Sequence, residues 1–253
     1  MKYYQELSKH PTFTLEMASE IMGSKINAPK YLYNMSNKGC INKIRKNLYT
    51  CVDLATGEDL ATRFIIASNI TGNSFISYHT AFEFYGFYNQ LFYDVQICSI
   101  SRFTDFEYDG FLYKCLPVNN TCQVNEIQEV RVASVERTII DSINMLGKVM
   151  DVEELIKCMD LVHIINEKNL IEMLSLYDKD ILYRKAGYIL SFYREEYGLS
   201  ESFFEFCRSH SNTKNKGMLS RNEIRKLEYI PEWGIYGFRN LRDVTSKGGN
   251  IDV

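Results

Sequence analysis

TLEMASEIMGSKINAPKYLYNMSNKGCINKIRKNLYTC, running from Thr14 to Cys51, holds two helix-forming patterns and a hairpin pattern in close succession. Thr14 has the hydroxyl of an N-cap, and Leu15, Ala18, Ile21 and Met22 follow at three- and four-residue spacing, so this helix has one apolar face. Gly23 stands where the helix has to stop, because glycine takes the left-handed C′ conformation without steric cost. A second helix opens around Asn27-Ala28-Pro29, since the missing N–H of proline goes unused in a first turn. Its Leu32 and Met35, with Ile26, are expected to pack on the first helix. That leaves Lys25, Asn27, Lys30, Tyr31, Asn34 and Lys38 facing outward.

Beyond it, Ile41, Ile44, Leu48 and Tyr49 flank the basic turn Arg45-Lys46-Asn47, where asparagine tolerates the backbone of a tight hairpin. Upstream, residues 3–9 form a short first helix ended by Pro11. Two helices joined by a short turn, followed by a basic hairpin, are the parts of a winged helix-turn-helix spanning residues 1–52. The DNA-facing set expected of it is Lys25, Asn27, Lys30, Tyr31 and Asn34 on the second helix, with Lys43, Arg45 and Lys46 on the wing. Asparagine can bond adenine edges, and lysine and tyrosine suit phosphates.

Charge is divided along the chain in the same sense. Residues 1–52 hold eight Lys/Arg against three Glu, a balance of +5, whereas the remaining residues, 53–253, come to −8 within a total of −3. A polyanion-facing head on a body of opposite sign is the physical reading. The seven cysteines are scattered and show no C-x-x-C spacing, which argues for reduced thiols in a cytoplasmic protein and against a structural metal. No apolar run is long enough to span a bilayer, so no membrane partner is expected.

From Asp53 onward an α+β domain with a helical end is expected, making the whole chain α+β in class. Helices are read over Ala61–Ile70 and Ser77–Tyr85, with Ser77 as the cap of the second. Strands are read over Val95–Ser99, Phe103–Tyr108, Phe111–Leu116 and Gln128–Ala133, with Asp109-Gly110 as a hairpin turn. Ser134 caps a further helix on which Arg137 and Asp141 pair at i,i+4, with Glu136 near the helix start. Ser134, Glu136, Arg137 and Asp141 read as a clamp at the strand-to-helix junction. Helices follow at 151–163, 167–177, 180–197 and 200–209, then a basic cluster of Lys214, Lys216, Arg221, Arg225 and Lys226 that reads either as a phosphate contact or, the blander reading, as solvated. The segment Tyr229–Tyr236 adds a short strand or loop. His79 and His163 have no ligand-type neighbour in sequence, and Glu83, Asp94, Asp105 and Glu107 form no nuclease pattern. No catalytic residue, cofactor or metal is expected.

Three segments resemble the AbiEi family, the antitoxins of type IV toxin–antitoxin and phage abortive infection systems. The first is F-T-L-E-x-A (Phe13–Ala18), with N-K-G-C-I (Asn37–Ile41) and K-I-R-K-N-L-Y (Lys43–Tyr49), where Asn47 stands at a position often glycine in the family. The second is I-S-Y-H-T-A-F-E-F-Y-G-F (Ile76–Phe87), with Tyr85 in place of a frequent histidine. The third is V-A-S-V-E-R-T-I-I-D (Val132–Asp141), with Val135 in place of the usual proline. The resemblance covers about residues 10–145. It implies a head that represses its own operon at inverted repeats, and a C-terminal domain that counteracts a nucleotidyltransferase-like toxin without a stable complex. The alternative is a plain transcriptional regulator whose C-terminal domain senses a ligand or dimerises.

Overall fold

The computed structural model describes residues 2–88, 92–223 and 227–246, and it is a mixture of helices and sheets, α+β in class. The chain forms two compact units, Met1–Ile76 with Tyr93–Val132, and Ser77–Phe92 with Ala133–Val253. Residue 52, expected to end the head, lies inside the first unit. Among the described residues no helix is long and apolar enough to cross a membrane.

The first unit opens with α1 (Tyr4–Leu7), α2 (Leu15–Met22) and α3 (Asn27–Asn37), then the antiparallel hairpin β1 (Ile41–Arg45) and β2 (Leu48–Cys51). Tyr4, Leu7, Phe13, Ala18, Leu32, Met35, Cys40, Ile41 and Cys51 form one buried cluster, so helices and hairpin share a small core. The chain then passes through α4 (Arg63–Ser68) and β3 (Phe75–Ile76). After α5 (Tyr78–Phe84), which belongs to the second unit, come β4 (Asp94–Ser99), β5 (Phe106–Tyr108), β6 (Phe111–Pro117), β7 (Val124–Ile127) and β8 (Val130–Ala133). They make a six-stranded mixed sheet in the order β5-β6-β4-β3-β8-β7. Within it β3 runs antiparallel to β4 and parallel to β8, while β6 runs parallel to β4 and antiparallel to β5.

Turn chemistry sets two of its corners. Asp109 and Gly110 take φ of 49° and 76°, the left-handed pair that a two-residue hairpin needs between β5 and β6. Gln128 and Glu129 do the same at 49° and 65°. The strand expected from Gln128 therefore begins at Val130, and β7 before the turn was not foreseen. The strand expected from Phe103 begins at Phe106.

Head and sheet share a unit because short-range contacts join them. Asn42 Nδ2 donates to Asp59 Oδ1 at 2.8 Å, the Tyr108 hydroxyl donates to the other oxygen of Asp59, and Leu60 N–H donates to the Cys51 carbonyl at 2.9 Å.

The second unit is mainly helical: α5, α6 (Val135–Asn144), α7 (Val152–Met159), α8 (Glu167–Tyr177), α9 (Asp180–Ser191) and α10 (Glu201–Ser209). A small sheet of β9 (Gly217–Met218), β10 (Glu228–Ile230) and β11 (Ile235–Gly237), in the order β10-β11-β9, and α11 (Asp243–Ser246) complete it. Side chains of Ser134, Asp151 and Ser200 accept the N–H groups that cap α6, α7 and α10. Ile139, Ile143, Leu155, Met159, Leu174, Tyr188 and Trp233 belong to its continuous apolar core. Gly187 lets α9 lie flat on Trp233: a Cβ there would sit 2.1 Å from the indole ring.

Candidate nucleic-acid interface

The surface expected to meet DNA is built by α2, the turn after it, α3 and the β1–β2 hairpin. Thr14 Oγ1 accepts the Met17 N–H at 3.2 Å, and Gly23, at φ 64°, ends α2. Ser24 Oγ then accepts the Asn27 N–H at 3.2 Å, so the connection is a few residues long and α3 starts at once. Ala28, Leu32 and Met35 are the inward stripe of α3. Opposite them Lys25, Asn27, Lys30, Asn34 and Lys38 stand exposed.

Two expectations for α3 fail. Ile26 does not pack on α2; it is 89% exposed. It sits at the N-cap, two residues before Ala28 and so about 200° around the helix from the stripe. Tyr31, by contrast, flanks the stripe, is half-buried against the head core and meets Tyr3 edge-on at 5.6 Å. The outward tyrosine is Tyr33, 67% exposed.

In the hairpin, Asn47 takes φ 62° as the turn requires, and its Oδ1 accepts the Leu15 N–H at 3.0 Å. Phe13, just ahead of α2, pairs with Tyr49 through two reciprocal backbone bonds of 2.9 Å, so the hairpin has a third, one-residue strand. Sequence reading missed this bridge, because a single paired residue after Pro11 leaves no periodic trace.

Lys43 and Lys46 are exposed, but Arg45 is not an outward wing residue. Its guanidinium lies over the rings of Phe106 and Phe103, at 4.9 and 5.4 Å from their centres. Its Nη1 is buried with no hydrogen-bond partner among the described residues. The strand carries a register irregularity between Lys43 and Arg45, and Ile41 and Ile44 are its buried positions. The result is a face with six Lys/Arg and no Asp or Glu between Ile21 and Val52, from which Arg45 alone is withdrawn.

The clamp residues of the second unit gather at the start of α6, all of them buried. Ser134 Oγ accepts the Arg137 N–H at 3.1 Å, and Glu136 Oε1 accepts the Asn166 N–H at 2.8 Å. Asp141 Oδ2 accepts Arg137 Nε at 3.3 Å and Ser77 Oγ at 3.2 Å, while Oδ1 accepts the Tyr177 hydroxyl. Burial pushes the Asp141 carboxyl above its ordinary range, against the pull of Arg137, Tyr177 and Ser77. Ser77 stands at the N-cap of α5 as expected, but its hydroxyl makes no cap bond and goes to Asp141 instead. The next residue, Tyr78, holds a left-handed backbone at φ 53°, a strained state for a bulky side chain.

No family model matches the chain, and no curated protein sequence matches it. Its fold is that of a protein known from a crystal structure, the RV2827C protein of Mycobacterium tuberculosis. The two share 13% identity at a TM-score of 0.65, over 96% of this chain and 92% of that one.

Elsewhere the sequence-derived sites disperse. His79 Nδ1 lies 3.4 Å from Glu154 Oε1 and its ring stacks on Phe92. Among the described residues no group of three or more His, Cys, Asp or Glu is placed to hold a metal ion. In the second basic cluster, Lys216 lies over the Tyr229 and Tyr236 rings, Lys214 and Arg221 are exposed, and Arg225 and Lys226 lie outside the described residues.

Proposed function

We propose that the chain is a DNA-binding transcriptional repressor whose head reads duplex DNA as a winged helix-turn-helix, and that it acts as an antitoxin. The observation that carries the DNA reading is one surface. Lys25, Lys30 and Lys38 along α3, and Lys43 and Lys46 on the hairpin, stand exposed with no acidic residue between Ile21 and Val52. The order of elements supports the same reading, with a helix, the Phe13 bridge, two helices on a tight turn and a hairpin. In a major groove Asn27 and Asn34 would bond base edges, and the exposed Ile26 would meet thymine methyl groups. The antitoxin half rests on the three segments that resemble the AbiEi family, among them Val132–Asp141 at the start of α6.

A gel shift on the protein's own upstream region, beside a scrambled duplex and titrated with salt, tests the first half. Four or five lysine–phosphate contacts predict a log–log salt slope of roughly −4 on the upstream duplex. Equal affinity for both duplexes would sink the repressor reading. For the second half, co-expression with a neighbouring nucleotidyltransferase should restore growth, and failure with both proteins present would leave the regulator alone.

A further inference from the structure

In the first unit, one face of the β5–β6 hairpin carries a row of rings. Phe106 stands opposite Tyr113 and Tyr108 opposite Phe111, so these four side chains project to the same side of the sheet. The segment 57–66 lies over that side. Its Asp59 accepts the Tyr108 hydroxyl, and the Arg63 guanidinium sits 4.7 Å from the centre of the Phe111 ring. Asn42, on β1, reaches the same Asp59 at 2.8 Å. Between these parts a cleft of about 750 Å³ remains, enough for a small molecule.

Tyr113 lines this cleft and is 0% exposed. Its ring stacks on Phe106 at 4.8 Å, and its side chain points from the sheet toward the segment 57–66. The hydroxyl at its end has no hydrogen-bond partner among the described residues. A buried hydroxyl left unpaired is costly, and folds seldom keep one without a use. Burial and the field of Asp109 push this hydroxyl up, Arg63 pulls it down, and Asp59 adds to the rise, so charges of both signs bear on it. Those charges line the cleft: Lys43 and Arg63 on one hand, Glu58, Asp59 and Asp109 on the other. Among the described residues no three carboxylates gather closely enough to hold a metal ion. Ala61 and Ile66 supply an apolar wall beside the rings. A matching ligand carries a positive group, a negative group and a little apolar surface.

We propose that this cleft binds a free α-amino acid, with the ligand's ammonium between Asp59 and Asp109 beside the Tyr113 hydroxyl and its carboxylate on Lys43 and Arg63. A phenol oxygen accepts from an ammonium, and a guanidinium fork suits a carboxylate. Each oxygen of Asp59 already takes one bond, from Asn42 and from Tyr108, and each keeps room for another. The site does not depend on the head's reading of DNA.

Calorimetric titration of the full chain tests it, with the common L-amino acids added singly and no DNA present. At least one should bind saturably at one site per chain. Its N-acetyl derivative, which lacks the ammonium, and its amide, which lacks the carboxylate, should bind far more weakly. Tyr113→Phe removes only the hydroxyl and should weaken the amino acid about fivefold. Without ligand, its thermal midpoint by circular dichroism should equal or exceed the parent's, because an unpaired buried group is gone. Asp109→Asn, on the surface, keeps a residue that tolerates the left-handed turn and should weaken binding about threefold. Three results each overturn the proposal: no amino acid binds, the N-acetyl form binds as well as the parent compound, or affinity is undiminished in both variants. A lower ligand-free midpoint for Tyr113→Phe also overturns it, since the hydroxyl would then have a partner within the protein.

Discussion

Replacing Asp141 with alanine removes the carboxylate to which Arg137 Nε, Ser77 Oγ and the Tyr177 hydroxyl all donate. Arg137 and Asp141 are both 0% exposed, so water does not take its place. Breaking a buried charge pair by deleting one partner costs about 3–5 kcal/mol. That is a large share of the roughly 5–15 kcal/mol by which a domain is stable. With a urea dependence of about 1–3 kcal/mol per molar, the midpoint should fall by roughly 2 M.

Trp233 fluorescence makes the measurement local, since that side chain belongs to the same apolar core as α6 and α9. The companion variant, Arg137→Met with Asp141→Leu, removes both charges and keeps the volume. It should recover most of the loss, because neither charge is then left behind. An Asp141→Ala loss under about 1 kcal/mol would refute the clamp. A double variant as unstable as the single one would show that shape, and not charge, sets the junction.

Arg45 and Lys46 adjoin in sequence but should behave oppositely. Arg45→Ala should leave the salt slope of DNA binding unchanged and cost the first unit about 1–2 kcal/mol by circular dichroism, through lost packing on Phe106 and Phe103. Lys46→Ala should reduce the slope by about 1 with stability kept within about 0.5 kcal/mol. At Asn47, glycine should be tolerated better than alanine in thermal melts, because glycine accepts φ 62° and both lose the bond to Leu15. Alanine melting at or above the glycine variant would overturn that turn assignment.

Much of the head was legible because its signals are local. The Thr14 cap, the Gly23 stop and the left-handed Asn47, like the Asp109-Gly110 turn of the larger sheet, depend on the conformations of single residues. Helix positions from α6 to α10 followed from periodicity, with ends that ran long by several residues at α7 and α9. A side chain's direction at an irregular point is different. Arg45, read as a wing tip, lies on the Phe106 and Phe103 rings, and Ile26, at the N-cap and off the inward stripe of α3, stands exposed.

The sequence by itself determined where the chain turns, which faces are apolar, and that its positive charge lies near one end. Tertiary structure decided which distant residues meet. Ser77 and Tyr177 converge on Asp141, β3 lies between β4 and β8, and Asn222 reaches back to the Gly147 carbonyl. Spacing along a chain encodes the geometry of one element. Partners tens of residues apart are chosen by the packing of whole elements, which no local pattern carries.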